Sequence, residues 1–203
     1  MPIDKTANHE KIVAAAKKEF LTYGFTDASM RHIAEEAGMS ASGLYKHFPS
    51  KEEMFSALVE PAYQGLLALF RQEADDQGQM IGTGDLSRWE TGRDAKLAIT
   101  YIYDHLDAFR LIICKSQGTK YESFLHDLTQ AAQERTLQYL PILREKGLAV
   151  REISPRELHL LYSAYVTALF EPVIHRYSLD ESMRCLETIE AFFLPGWKTM
   201  FGF

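Results

Sequence analysis

Two short helix-forming segments between Ser29 and Phe48, separated by one glycine, constrain this chain more than any other feature. Ser29 is a typical helix N-cap. Three apolar residues follow it at the spacing of a helix core: Ile33, Ala34 and Ala37. Gly38 ends this segment, and Ser40 or Ser42 can cap the next one. The pattern predicts a helix-turn-helix.

Helical patterns also precede and follow this pair. A first helix is indicated by apolar residues at helical spacing, namely Ile12, Val13, Ala16 and Phe20. Its other face is assigned to Lys11, Lys17, Lys18 and Glu19. Gly24 occupies a C-cap position. Pro49 stops the last short helix, and Ser50 with Glu53 forms a capping box that opens a longer helix, in which Pro61 predicts a kink.

The remaining chain reads as helices joined by short connections. Residues 75–85 hold three glycines and are predicted to be a loop. Two closely joined helices are expected over 94–105 and 108–116, and a long one over 120 to about 144. Ser154 caps a helix with Pro155 at its first position, and a last helix begins at Asp180. The sequence therefore predicts an all-α fold of about nine helices.

Length and composition favour a small domain joined to a larger one. Of the 203 residues, 1–50 are assigned to a helix-turn-helix domain and 51–203 to a larger helical domain, linked by the helix from residue 51. No apolar run reaches the length of a membrane-spanning helix, and the polar N-terminus lacks a signal-peptide core. We therefore expect a cytoplasmic protein with no membrane partner. Cys114 and Cys185 lack the spacing of a zinc or redox motif.

The charge is acidic overall but not at the predicted turn. The net charge is −6, and the first 60 residues carry seven basic and nine acidic side chains. Residues 37–51 contain two lysines, one histidine and no acid. Such a local face is compatible with a few phosphate contacts, although acidic proteins are otherwise poor partners for DNA.

The second short helix has the composition of a recognition helix. In a helix-turn-helix, the N-terminal residues of this helix approach the base edges in the major groove. Small residues allow that approach: Ser40, Ala41, Ser42 and Gly43. The helix N-terminus also offers free N–H groups and a partial positive charge to phosphates.

The run TDASMRHIAEEAGMSASGLYKHFPSKEEMF, residues 26–55, resembles the DNA-binding domain of TetR/AcrR-family regulators. The resemblance covers about residues 7–59. It rests on the glycine turn, the LY-x-HF ending and the PSKEE start of the next helix. The resemblance implies a homodimer with an N-terminal three-helix DNA-binding domain and a larger helical domain that binds an effector and dimerises through its last two helices.

The same resemblance assigns DNA contacts by position. Tyr45, His47 and Lys51 correspond to phosphate contacts, and Ser29, Met30 and Arg31 to a further backbone-contacting site. Ala41, Ser42 and Gly43 fall where members touch bases, and Lys46 is a further candidate. Many members carry a polar residue in place of Ala41, so base readout here rests on few side chains. Two alternatives stay open: Tyr45 packing on a neighbouring helix, and Lys51 as a solvated helix-start residue.

A ligand cavity is inferred from polar and aromatic side chains within the C-terminal helices. A buried tyrosine combines an apolar ring with a hydroxyl that needs a partner, which suits a cavity of mixed polarity. The candidate ligand-binding residues are Tyr101, His105, Phe109, Arg110, Cys114, Tyr121, Phe124, Tyr162, Tyr165 and Glu171. The alternative, for any one of them, is an ordinary core residue.

Metal or redox chemistry has little support in the sequence. Glu171 and His175, like Glu122 and His126, stand four residues apart, which permits pairing within a helix but is weak evidence for a metal site. Cys114 follows three apolar residues and is read as inert core. No cofactor, metal or catalytic constellation is expected.

We therefore predict a ligand-responsive repressor that binds a pseudo-palindromic operator in double-stranded DNA and is released by an unidentified small molecule. An activator of the same architecture is the first alternative. A helical ligand-binding protein or enzyme with a helix-turn-helix-like hairpin is the second.

Overall fold

The computed structural model describes residues 5–83 and 93–202, and within them it has helices and no strand. The nine helices are α1 (Lys5–Asp27), α2 (Met30–Glu36), α3 (Ala41–His47), α4 (Lys51–Thr83), α5 (Arg93–Asp104), α6 (Leu106–Lys115), α7 (Phe124–Glu145), α8 (Pro155–Ile174) and α9 (Leu179–Phe201). The all-α prediction is confirmed. None of these helices is long and apolar enough to cross a membrane.

Helix ends follow the capping residues of the sequence. Gly24 adopts a positive φ of 78° where the first helical pattern ends, and a short helical turn continues from it to Asp27. Ser154 accepts a hydrogen bond from the Glu157 backbone N–H, and the Glu157 carboxylate bonds back, which completes a capping box.

Two predicted boundaries are wrong. Residues 75–83 are helical, as the last turns of α4, and 84–85 lie outside the described residues. Glycine costs about 1 kcal/mol in a helix, an amount that tertiary contacts can offset. Here the Tyr139 hydroxyl donates to the Ala74 carbonyl at 3.2 Å, and Glu73 is buried. The long helix begins at Phe124, not residue 120, because the preceding residues form turns.

The chain divides into two compact units. The first runs to Gly65 and includes His105–Glu122; the second holds Leu66–Asp104 and the chain from Ser123 onward. The boundary falls within α4, and α6 belongs to the first unit. A functional division at residue 50 stays a prediction, since packing units need not coincide with functional ones.

Each unit has its own core. In the first, the rings of Phe20, Phe25 and Phe55 meet, with Phe20 and Phe55 edge to face at a centroid distance of 5.2 Å. Ile33 of α2 and Leu44 of α3 are fully buried. In the second unit, one core cluster is formed by Leu140, Leu143, Leu158 and Phe201. These cores fix the positions of the two candidate sites.

Candidate nucleic-acid interface and ligand cavity

The helices α2 and α3 form the predicted helix-turn-helix, with a glycine at the bend. Gly38 has a φ of 72°, a region that glycine enters without steric cost. Its N–H donates to the Glu35 carbonyl at 3.1 Å. Ser40 then caps α3, because its side chain accepts from the Gly43 N–H at 3.2 Å. Ser40, not Ser42, is therefore the cap.

The second short helix turns its polar residues to solvent and its apolar ones inward. Leu44 is buried, and so is Phe48 at the C-cap. The exposed predicted DNA contacts of this segment are Ser40, Ser42, Tyr45, Lys46 and His47, while Ala41 and Gly43 are half-buried. At 48% exposure, Tyr45 does not pack away into the core. The face that could meet DNA carries hydroxyl, ammonium and imidazole groups.

The predicted contacts at the start of α2 differ in what they can offer. Ser29 is exposed, and its side chain accepts from the His32 N–H, as an N-cap does. The Met30 side chain is buried, so only its backbone N–H could reach a phosphate. Arg31 is exposed and forms an ion pair with Glu35 one turn later, at 3.2 Å. A phosphate would compete with that carboxylate for the guanidinium.

Lys51 makes contacts that the sequence did not indicate. Its ammonium donates to the carbonyls of Thr26 at 3.0 Å and Ala28 at 3.1 Å. The same group lies 4.8 Å from the centroid of the Phe25 ring. Lys51 therefore holds the start of α4 against the end of α1 and the connection that follows it, whether or not it also meets a phosphate.

Glu19 was assigned to the solvent face of α1, and that assignment is wrong. The residue is 3% exposed. One carboxylate oxygen accepts from the Ser29 backbone N–H at 3.0 Å, and the other from His32 Nδ1 at 2.8 Å. The carboxylate thus holds the N-terminus of α2 in place. A signal for this role is its spacing, because Glu19 follows the buried Ala15 and Ala16 by four and three residues and so shares their face of the helix.

The second unit contains a cavity of about 420 Å³, within the usual range of ligand sites. Helices α4, α5, α7, α8 and α9 line it. Its aromatic lining consists of Phe70, Tyr139, Tyr162, Tyr165, Phe170, Trp197 and Phe201. The charged lining residues are Arg71, Glu73, Arg93, Asp94 and Arg135.

Three tyrosines of the lining present hydroxyls in different settings. Tyr162 is hydrogen-bonded to Thr136 at 2.5 Å, and Tyr139 donates to a carbonyl of α4. Burial raises the pKa of Tyr165, and the nearby carboxylates of Glu190 and Asp94 raise it further. Its hydroxyl therefore stays protonated and can donate.

Of the predicted ligand-binding residues, Tyr162 and Tyr165 line this cavity. Phe124 is behind it, packing edge to face on Phe170, and Glu171 pairs with His175 at 2.9 Å, as its spacing suggested. Tyr101 lies in the same unit outside the lining. The others belong to the first unit: His105, Phe109, Arg110, Cys114 and Tyr121.

Two of these residues show why aromatic and apolar spacing misled the assignment. Tyr121 is buried against Phe55 and Tyr63, and its hydroxyl donates to Glu60. Cys114 is exposed, so its reading as inert core is wrong. Among the described residues no group of three or more histidine, cysteine or acidic side chains could hold a metal.

Comparison with known proteins shows that the N-terminal region is similar to a family of bacterial regulators. The family model described as bacterial regulatory proteins, tetR family, matches residues 12–58. The uncharacterized HTH-type transcriptional regulator YfiR of Bacillus subtilis is 34% identical over 73 residues, and the nucleoid occlusion factor SlmA of Vibrio campbellii is 34% identical over 74. The matches cover 36% of this chain and 36% and 38% of the relatives, little more than a third of each.

Solved structures resemble the chain over nearly its full length. A TetR-like transcriptional regulator from Rhodococcus sp. RHA1 has a TM-score of 0.55 at 19% identity, covering 96% of this chain and 99% of that one. SmeT, described in complex with triclosan, has a TM-score of 0.55 at 20% identity, covering 91% and 90%. At these identities the likeness concerns the fold alone.

Proposed function

We propose that the chain is a member of the tetR family of bacterial regulatory proteins and a ligand-responsive DNA-binding transcriptional regulator, acting as a repressor. The observation that carries the proposal is the α2–α3 pair, which exposes Ser42, Tyr45, Lys46 and His47 on one short capped helix. Residues 1–50 form the DNA-binding domain, and 51–203 bind the effector and dimerise.

The DNA partner is a double-stranded, pseudo-palindromic operator in the bacterial cytoplasm. Ser29, Arg31, Tyr45, His47 and Lys51 would meet phosphates, together with the backbone N–H of Met30. A base-reading set would consist of Ser40, Ala41, Ser42, Gly43 and Lys46. Because two of these base-reading residues lack polar side chains, sequence-dependent DNA shape carries a large share of the specificity, and the phosphate contacts set the register.

The partner in the dimer is a second copy of this chain, joined through α8 and α9. Exposed apolar side chains support this assignment. Phe192 of α9 is 78% exposed and Leu160 of α8 is 69% exposed. Ile174 and Leu179, near the junction of these helices, are exposed as well. A two-fold axis beside the pair would bury them in a four-helix interface and set two recognition helices about 34–36 Å apart.

The effector would occupy the cavity of the second unit. SmeT, of similar fold, is described with triclosan bound, which is compatible with a small-molecule site in this architecture. A compound that binds more tightly to a conformation that cannot bind DNA lowers the affinity of the protein for the operator. The decrease can be no larger than the difference between the compound's affinities for the two conformations. The proposal involves no catalytic step.

The test is binding of the purified protein to the DNA upstream of its own gene at a stated salt concentration. We expect specific binding that Lys46→Met weakens and Lys146→Met, at the C-cap of α7, leaves unchanged. In a reporter strain, deletion of the gene should raise expression from the bound promoter; a fall would make the protein an activator. Binding no tighter than to a scrambled duplex would contradict the proposal.

A further inference from the structure

One side of the cavity is a stack of aromatic rings. Tyr162 and Trp197 are stacked at a centroid distance of 4.9 Å, and Trp197 and Phe201 are nearly parallel at 5.7 Å, with an interplanar angle of 4°. All three line the cavity. Aromatic rings packed offset or edge-on gain stability beyond the area they bury, which favours an aromatic ligand at this wall.

Small side chains leave room beside this wall. Where α5 and α7 reach the cavity, they contribute four alanines: Ala95, Ala98, Ala131 and Ala132. A methyl group fills little of the space that a larger residue would occupy. Bulky rings from α8 and α9 and short side chains from α5 and α7 together produce a space suited to a rigid, flat molecule.

The cavity lining carries more positive than negative charge, with three arginines against the carboxylates of Glu73 and Asp94. Arg135 is half-buried and lies close enough to Tyr162 and Tyr139 to oppose the rise that burial causes in the pKa of both. Within the described residues, neither Arg135 nor the exposed lining residues Arg71 and Arg93 forms an ion pair. The lining carboxylates, Glu73 and Asp94, already interact with other groups of the chain.

We propose that the effector is a flat aromatic compound carrying an anionic group, with its rings against Tyr162, Trp197 and Phe201 and its anionic group paired with Arg135. This inference rests on the proposed function, because it names the chemical class of the effector. A half-buried cation loses hydration that an anion can replace through a charge-assisted hydrogen bond. A cationic ligand would meet the guanidinium instead.

Charged groups at the two ends of the cavity predict how the ligand is oriented. Asp94 and Glu190 lie near Tyr165, so a negative group there would be repelled. The anionic group is therefore expected at the Arg135 end of the cavity. The Tyr165 hydroxyl can donate to a neutral acceptor elsewhere on the ring system.

Two fluorescent probes with the same ring skeleton separate the role of the anion from that of the rings. They are 1-anilinonaphthalene-8-sulfonate, which is anionic, and N-phenyl-1-naphthylamine, which lacks the sulfonate. We expect both to bind the full-length protein, the anionic probe at least tenfold more tightly. Equal affinities, or tighter binding of the neutral probe, would overturn the proposal.

Arg135→Met tests which residue meets the anion. The variant should lose about tenfold in affinity for the sulfonate probe and less than twofold for the neutral one, whose binding shows that the cavity is intact. Arg156→Met, an exposed arginine of α8 outside the cavity, is the matched control and should change neither affinity. An Arg135→Met variant with an unchanged ratio of affinities would also overturn the proposal.

Competition tests the flat aromatic part. 2-Naphthoate should displace the neutral probe at lower concentration than dodecanoate, which has the same anionic group on a flexible chain. The reverse order would indicate an acyl-chain site and overturn the proposal. None of these readouts involves DNA, so a failure here leaves the regulatory function standing, whereas failed operator binding leaves the probe results valid.

Discussion

At the scale of single residues, the buried carboxylate of Glu19 holds the N-terminus of α2 in place. Glu19→Leu should lower the free energy of unfolding by ~2 kcal/mol, because the Ser29 N–H and His32 lose their acceptor. Glu19→Gln keeps an acceptor for the Ser29 N–H and should cost less. Urea denaturation of both variants provides the measurement. Equal losses would mean that the acceptor retained by glutamine contributes nothing to stability.

Replacing Lys51 should change the stability of the protein, whereas replacing Lys46 should change its DNA binding. Lys51→Met removes two hydrogen bonds to carbonyls and should lower the free energy of unfolding by about 1 kcal/mol. Lys46 is exposed on α3, and Lys46→Met should leave stability unchanged while weakening DNA binding. Its signature is a relaxed base preference at one operator position, because Lys46 belongs to the base-reading set.

A Lys51→Met variant with full stability and weaker DNA binding would instead make Lys51 a phosphate contact alone. A Lys46→Met variant that unfolds more easily would contradict its placement on the exposed face.

The residue-level predictions succeeded where local chemistry decides. Ser29, Ser154 and Gly38 were placed correctly, because capping and positive φ depend on a few neighbouring backbone groups. Glu19 was misplaced, because helical spacing ranks positions by polarity and treats an acid as solvent-facing. Its burial depends on the Ser29 N–H and His32, which the fold brings to it.

At the scale of elements, the Glu60 carboxylate joins α4 to the turn before α7 through an ion pair and a hydrogen bond. The Lys120 ammonium, 2.7 Å away, and the Tyr121 hydroxyl lower the pKa of Glu60 from 4.5 to about 2. A lowered pKa in the folded state contributes stability above pH 4.5 that is lost as the pH falls toward 2.

Glu60→Gln should therefore destabilise the protein at pH 7 and reduce the loss of stability between pH 5 and pH 2.5 by about 1 kcal/mol. Urea titrations at both pH values measure this. Glu52→Gln, an exposed acid in the first turn of the same helix, is the control. Parallel pH profiles for wild type and Glu60→Gln would contradict the role of Glu60.

The exposed apolar side chains of α8 and α9 predict how the protein associates. Phe192→Glu places a charge where a second copy would pack and should raise the dimer dissociation constant at least tenfold, as measured by analytical ultracentrifugation. Ile142→Glu changes an exposed apolar residue of α7 in the same way and should have no effect. A monomeric wild-type protein, or a dimer unaffected by Phe192→Glu, would contradict the interface.

The elements themselves were largely predictable, because periodic apolar residues and caps mark most of them. The end of α4 was not, since glycines at 78 and 82 suggested a loop. The helix persists there with support from another element, the Tyr139 hydroxyl of α7. Such support is invisible until the tertiary structure is known.

At the scale of the whole molecule, the helix-turn-helix could be predicted from the sequence and the cavity could not. Residues 26–55 contain a compact set of local signals that resemble a known domain. The cavity combines side chains from five helices, and its alanines carry no signal in the sequence. The presence of a tyrosine did not distinguish a cavity residue from a core residue. Tyr162 lines the cavity, whereas Tyr121 packs in the core of the first unit.

Control of DNA binding by the cavity is the central claim, and one titration tests it most directly. The labelled upstream DNA fragment is bound to wild type or to Ala132→Leu, which fills part of the cavity. A compound that displaces the neutral probe is then added in increasing amounts, and fluorescence anisotropy of the DNA reports how much of it stays bound. We predict that the compound releases the DNA from wild type, and that Ala132→Leu binds the DNA equally well but keeps it. Release from both proteins at the same concentration, or from neither, would contradict the account.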